Sequence, residues 1–205
     1  MTTEEFQRWE TRFSSDEFVF GTEPNAFLAA SCDLLPPSGR ALSIADGEGR
    51  NGVFLAQRGL SVLSVDYAPA AQRKAQQLAK ARGVTIETQQ VDLFTWKWPS
   101  GFDVVVGIFF QFAEPEQRAL LFERIRHALK PGGLLLIEGY RPEQIGYGTG
   151  GPKQPEKLYT RALLEQAFGD FDRLCIQEYD AVIEEGAGHS GMSALIDLVA
   201  WKPRA

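Results

Sequence analysis

Apolar and polar positions along this chain follow two rhythms. At the start, Phe6, Trp9 and Phe13 fall three and four residues apart, which predicts a helix over 3–13 with a core-facing stripe. The stretch from Ser14 to Pro24 reads as turns, and Asn25 to Ala30 as a second short helix ended by Leu34-Leu-Pro-Pro-Ser-Gly39. From Ala41 the rhythm shortens. Ala41 to Ala45 is an apolar run closing on a glycine-containing turn, and 51–59 reads as a helix that stops at Gly59. Ser61 to Asp66 is a second strand. Pro69 suits the first residue of a helix running to about Arg82, and Val84 to Val91 is a third strand. Phe102-Asp-Val-Val-Val-Gly-Ile108 is nearly all apolar, as expected of a strand buried on both faces. Pro115 to Leu129 predicts an amphipathic helix, Lys130-Pro-Gly-Gly133 a turn, and Leu134 to Ile137 a fifth strand.

Strands alternating with helices through short connections predict a parallel sheet covered by helices on both faces. After Tyr140 the pattern breaks. Residues 141–159 hold four glycines and three prolines without periodicity, and a loop of that length in a compact domain is usually functional or mobile. A helix is expected over 160–168. Two strands then follow directly, 172–184 and 192–201, with a glycine-rich turn over 185–191. With no helix between them they predict an antiparallel hairpin at one edge of the sheet.

Composition narrows the function classes. The 205 residues suit a single domain, with 44% hydrophobic and 23% charged residues. A net charge of −6 disfavours nucleic acid or an anionic membrane as partner. No run approaches the length of a membrane span, and the charged start of the chain lacks an export signal, so a cytoplasmic location is expected. Cys32 and Cys175 stand far apart and are expected to be free thiols; no metal site is expected.

The chemistry concentrates where the first strand ends. Gly47 and Gly49 allow unusual backbone angles and close approach of a ligand, and the next helix presents its open N-terminus there. Asp66 closes the second strand, where an ionised carboxylate accepts hydrogen bonds from both hydroxyls of a ribose. Asp92 follows the third strand at the same sheet edge, placed to meet an adenine amino group. A nicotinamide-dependent reductase and a methyltransferase both bind adenosine at such an edge. Three features favour the second: a turn that fits G-x-G-x-x-G only loosely, the extra acid Asp92, and the terminal hairpin.

The chain resembles the class I S-adenosylmethionine-dependent methyltransferases, and looks closest to the tellurite-resistance and thiopurine-type branch. The resemblance rests on Ser43-Ile-Ala-Asp-Gly-Glu-Gly-Arg-Asn51, Val65-Asp-Tyr67, Val91-Asp-Leu93, Phe102-Asp-Val-Val-Val106 and Leu129-Lys-Pro-Gly-Gly-Leu-Leu-Leu-Ile137. It implies an α/β, Rossmann-like, doubly wound and mostly parallel seven-stranded sheet with an antiparallel last strand and helices on both faces. It also implies a single domain: a helical lid over 1–38, a cofactor-binding half over 39–140, and a substrate side over 141–205. S-adenosyl-L-methionine is the implied cofactor. Residues Ala45, Asp46, Gly47, Gly49, Arg50 and Asn51 would wrap its methionine end, Asp66 its ribose, and Tyr67 the adenine face. Asp92 and Leu93 would read the adenine edge, and Gly107 and Ile108 floor the pocket. Where the family places an acid and a first glycine, this chain has Ser43 and Ala45. That removes one polar anchor and requires ordinary backbone angles at Ala45.

Acceptor-side candidates are fewer. His189, in the glycine-rich turn, is the best single candidate for a base, and His127 is expected to be structural or exposed. By the resemblance Phe20 is expected in a lid, Tyr147 and Tyr159 flank the long loop, and Phe109, Phe110 and Phe112 offer an apolar acceptor pocket in which Gln111 can orient an acceptor. Together they suggest a small, partly apolar acceptor with no need for a polyanion site, and the resemblance alone implies methylation at a thiol, metalloid or other heteroatom. The competing reading is a protein of the same fold that binds the cofactor with little or no catalysis.

Overall fold

Seven strands form one sheet in the order β3-β2-β1-β4-β5-β7-β6. They are β1 (Gly39–Ile44), β2 (Leu60–Asp66), β3 (Glu87–Gln90), β4 (Phe102–Ile108), β5 (Leu129–Tyr140), β6 (Asp172–Glu185) and β7 (His189–Trp201). The computed structural model describes residues 3–204. The first five strands pair in parallel, and β7 lies antiparallel to both neighbours, β5 and β6. This is the doubly wound, Rossmann-like sheet expected from the sequence. Strand order reverses at β1, with β2 on one side and β4 on the other. Such a reversal opens a crevice at the carboxyl ends of these strands.

Strand periodicity assigns the two faces. Ala41, Val62, Val104, Val106, Leu134 and Leu136 point to one face, where they meet Leu28, Val53, Leu55 and Leu78. Those residues come from α2 (Ala26–Ala30), α3 (Arg50–Gln57) and α4 (Pro69–Ala81). Leu42, Ile44, Val105, Leu135 and Ile137 point to the other face and pack on Leu121, Phe122, Ile125, Leu164 and Phe168. These belong to α5 (Pro115–Ala128) and to Arg161–Phe168. Local chemistry sets the helix starts. Pro69 and Pro115 open α4 and α5, and the Asn25 side chain accepts from Leu28 N–H to cap α2.

Several boundaries differ from the sequence reading. Lys130 to Gly133 form no turn ahead of the fifth strand. They lie within β5, at a bulge where pairing steps from Phe102↔Leu129 to Val104↔Leu134. The third strand is only Glu87–Gln90. The region expected as structureless, 141–159, holds the short helix α6 (Gln144–Tyr147) and a 3-10 turn at Pro155–Lys157, ahead of α7 (Arg161–Phe168). The last hairpin is tighter than expected. Its strands pair as far as Glu185↔His189, so His189 begins β7 and does not sit in the turn. Helix α1 (Thr3–Phe13) packs against α4, which carries the N-terminal segment to the carboxyl edge of the sheet.

Candidate functional site

The glycine turn begins with strain. Ala45 has φ of +48°, in the left-handed region where a Cβ costs roughly 1 kcal/mol. The ordinary angle expected there is not found, because the chain must bend sharply out of β1. Below the bend, Asp46 is buried and turned inward. Its carboxylate accepts from Ser43 Oγ at 2.7 Å, Ser64 Oγ at 2.6 Å and the Gly52 N–H at 3.2 Å. Burial pushes its pKa up to about 6, against the opposing effect of the two serines and Gly52. Asp46 therefore anchors the turn from beneath. Ser43 is its donor, and the polar anchor is displaced along the chain without being lost.

Each glycine has its own reason. Gly49 has φ of +84°, and a Cβ there would fall 2.4 Å from that of Ala75, so it allows the turn to lie on α4. It packs and lies outside the cavity wall. Gly107 is likewise pressed on the Phe110 ring and does not floor the cavity, although its neighbour Ile108 lines it. Gly47, with φ of +56°, does line the cavity, and its N–H donates to Asp66 Oδ2 at 2.9 Å. Asp66 Oδ1 accepts from the Ala68 N–H at 2.9 Å. Burial raises the Asp66 pKa, and these backbone donors oppose the rise. Tyr67, edge-on to Phe6 at 5.0 Å, Asp92, whose carboxylate accepts from the Phe94 N–H, and Leu93 complete this end of the cavity.

The N-terminal segment is tied down by groups the sequence reading had assigned elsewhere or missed. Glu48, 2% exposed, accepts from the N–H groups of Val19 and Phe20 and pairs with Lys74 at 2.8 Å. Arg50 pairs with Glu185 at 2.5 Å, and Asn51 Oδ1 accepts from the Asn25 N–H. Arg50 and Asn51 thus reach the cavity already engaged. Asn25 also donates to Glu138 at 2.5 Å. Glu138 faces Asp197 across the β5–β7 pair, and the Glu138 pKa stands well above the usual carboxylate range through burial and the charges of Asp197 and Glu185.

A cavity of about 680 Å³ runs from Asp66 to an aromatic cluster at its far end. His189 is stacked on Phe109 at 4.4 Å and lies against Phe20 at 4.6 Å, and its Nδ1 shares a hydrogen bond with the Tyr140 hydroxyl. Burial, together with Arg50 and Arg12, lowers its pKa to about 3. Phe109 holds φ of +53°, a strained angle that aims its ring into the cluster. Phe112 also lines the cavity, whereas Phe110 and Tyr159 are core. Gln111 reaches the wall with its amide spent. Its Nε2 donates to the Tyr140 carbonyl at 2.8 Å and its Oε1 accepts the Tyr140 N–H at 2.6 Å, so it bridges the strand end and does not orient an acceptor. Tyr147 is not brought to the cavity; it is exposed and donates to Asp180 at 2.9 Å. His127 is exposed on α5. Trp9, Arg12 and Phe13 from α1 join the wall. The stripe of Trp9 and Phe13 had marked a buried face, and here the cavity is part of what that face covers.

Among the described residues no group of three His, Cys, Asp or Glu side chains is placed to hold a metal ion, and no helix is long and apolar enough to cross a membrane.

Residues 41–133 match the model of a methyltransferase domain. The carboxy-S-adenosyl-L-methionine synthase of Stutzerimonas stutzeri (strain A1501) is 29% identical over 89 residues, which cover 40% of this chain and 36% of the synthase. The match spans about a third of the length of the curated relatives. A SAM-dependent methyltransferase from Methanosarcina mazei superposes at TM-score 0.69 and 17% identity, over 89% of this chain and 100% of its own. TehB from Haemophilus influenzae superposes at TM-score 0.71 and 15% identity, over 97% of this chain and 67% of its own. Residues 41–133 are therefore similar in sequence to a methyltransferase domain, and the whole sheet has the fold of the solved methyltransferase it superposes on.

Proposed function

We propose that this chain is an S-adenosylmethionine-dependent methyltransferase whose small-molecule acceptor reacts through a soft heteroatom such as a thiol or a metalloid. The observation that carries the reading is the Asp66–Gly47 pair at one end of a cavity that continues to the aromatic cluster around His189.

The residues present suit the cofactor. About 680 Å³ is ordinary for a small-ligand site. Asp66 accepts from the Gly47 and Ala68 N–H groups, with Tyr67 N–H beside them, and its carboxylate keeps capacity for a further donor such as a ribose hydroxyl. In this reading Ala45 and Gly47 receive the methionine end, Tyr67 lies beside the adenine, and Asp92 with the Leu93 main chain meets its edge. When bound, S-adenosylmethionine supplies a methyl group already activated by a positive sulfur. The protein's part is alignment and exclusion of water, for which Phe20, Phe109 and Tyr140 provide an apolar chamber.

His189 supports the soft-nucleophile reading. With a pKa of about 3 it is neutral near pH 7 but too weak a base to take a proton from an amine or an alcohol. An acceptor here must bring its own nucleophilicity, as a thiolate or a metalloid lone pair does.

The test is methyl transfer from labelled S-adenosylmethionine to a panel of thiols, tellurite, selenite, amines and phenols. Labelled thioether or methylated metalloid is the expected product. Preference for amines or phenols would overturn the acceptor class. Tight cofactor binding without turnover on any acceptor would favour a binding protein, and no binding of S-adenosylmethionine or S-adenosylhomocysteine would overturn the reading altogether.

A further inference from the structure

Five cationic side chains line the cavity, and they are of two kinds. Arg50 and Lys157 are neutralised, by Glu185 at 2.5 Å and by Glu114 at 2.8 Å. Arg8, Arg12 and Lys153 form no ion pair among the described residues. Four acids stand on the same wall, Glu5, Asp46, Asp66 and Asp92, and among the described residues none is in ion-pair contact with Arg8, Arg12 or Lys153. Asp46 is engaged by its serines, Asp66 by backbone N–H groups at the opposite end, and Asp92 by Phe94 N–H.

The unpaired cations gather at the aromatic end. The Arg12 guanidinium lies over the rings of Trp9 and Phe20, at 5.2 and 5.1 Å. A Cβ on Gly188, next to His189, would stand 2.8 Å from an Arg12 nitrogen, so the guanidinium reaches the hairpin tip. Arg8 lies over the Trp9 ring at 5.6 Å. Lys153 rides on the glycine loop that presses on Tyr140, where a Cβ on Gly151 would meet the Tyr140 ring at 2.6 Å. Two arginines four residues apart on one helix repel each other, and the charge of Glu48 offsets that repulsion at Arg12 only in part. Arg12 feels it: burial and Arg8 both lower its pKa.

We propose that the acceptor carries an anionic group, a carboxylate or its equivalent, which Arg12 and Lys153 bind with Arg8 behind them, while its apolar body lies among Phe20, Phe109 and His189. The proposal rests on the methyltransferase reading and narrows it. Asp66 and Asp92 sit at the end assigned to adenosine, while Arg12 and the loop that carries Lys153 lie beside Phe20, Gly188 and Tyr140 at the end assigned to the acceptor. An acceptor of this class is drawn in by charge, and its anion is fixed at the cavity mouth by charge-assisted hydrogen bonds.

The test uses benzoate and its neutral isostere benzamide, titrated by calorimetry at low salt into the full chain, with and without saturating S-adenosylhomocysteine. In the loaded protein benzoate is expected to bind roughly tenfold more tightly than benzamide. Arg12→Gln and Lys153→Gln, both at exposed positions, are expected to remove most of that preference and to leave the S-adenosylhomocysteine affinity unchanged. Equal affinity for the two probes, or no benzoate binding to the loaded protein, overturns the proposal. Benzoate binding that S-adenosylhomocysteine abolishes also overturns it, because the cations then serve the cofactor's own carboxylate. The S-adenosylhomocysteine titration is read separately, so a failure of the methyltransferase reading is distinguishable from a failure of the anion site.

Discussion

Ser43 donates a 2.7 Å hydrogen bond to Asp46 beneath the glycine turn, and Ser64 donates another from β2. Two serines and one buried acid thus tie β1, β2 and the start of α3 together. Replacing Asp46 with alanine leaves both hydroxyls and the Gly52 N–H without their acceptor. We expect Asp46→Ala to lower unfolding free energy by about 3 kcal/mol in urea titrations. A loss below 1 kcal/mol would show that the network is dispensable.

Asp66 is expected to matter for ligand more than for fold. Asp66→Ala should weaken S-adenosylhomocysteine binding by more than about 1 kcal/mol, the value of a lost charge-assisted hydrogen bond. Calorimetry measures it directly, and unchanged affinity removes Asp66 from the ribose role.

Ala45 stores strain that a glycine would relieve. With φ of +48° the left-handed penalty exceeds the extra chain entropy of glycine, so Ala45→Gly should raise stability by up to about 1 kcal/mol. A drop in melting temperature would mean that the Ala45 methyl contributes more by packing than its backbone angle costs.

His189 makes stability depend on acidity. Its folded pKa, about 3, lies below the ordinary value of 6.5, so the unfolded chain binds the extra proton between these values. Its contribution is therefore complete above pH 6.5 and lost as pH falls toward 3. Relative to His189→Gln, the wild-type chain should lose about 1.4 kcal/mol per pH unit of acidification between pH 6 and pH 4. Parallel stability curves for the two proteins would rule this out.

Glu48 holds the N-terminal segment by two backbone N–H groups and one buried lysine. Glu48→Ala strands Lys74 in a buried position, for which about 3 kcal/mol of destabilisation is expected. Hydrogen exchange at the Val19 and Phe20 amides should accelerate before that of the β1 and β4 amides. Uniform acceleration across the sheet would indicate that Glu48 supports the whole fold and has no local hold on the segment.

The parts legible in the sequence were those fixed by short-range periodicity and by strand ends. The runs at Ala41, Ser61 and Phe102 place β1, β2 and β4, and the positions of Asp66 and Asp92 follow because each ends or follows a strand. What was hidden depends on contacts far apart along the chain. Gln111 looked available because nothing local reveals that Tyr140, on the next strand, would occupy both ends of its amide. The anchoring role of Asp46 was hidden because its partner Ser64 comes from a different strand. Gly49 belonged to the family's signature and Gly107 was expected to floor the pocket, yet their need for glycine comes from Ala75 and Phe110. The aromatic stripe of α1 was visible, but periodicity marks a covered face without saying whether protein or cavity covers it.

The hairpin tip meets the N-terminal segment where the Gly188 N–H donates to the Val19 carbonyl at 3.0 Å. These two residues leave a ribosome on the order of ten seconds apart. The crevice of β1, β2 and β4 is fully synthesised once Ile108 emerges, whereas the chamber around His189 waits for nearly the last strand. A growing chain therefore owns its nucleotide-sized crevice long before it can enclose a second molecule. On the methyltransferase reading, a copy that ends before β7 lacks His189 and with it the chamber for the acceptor.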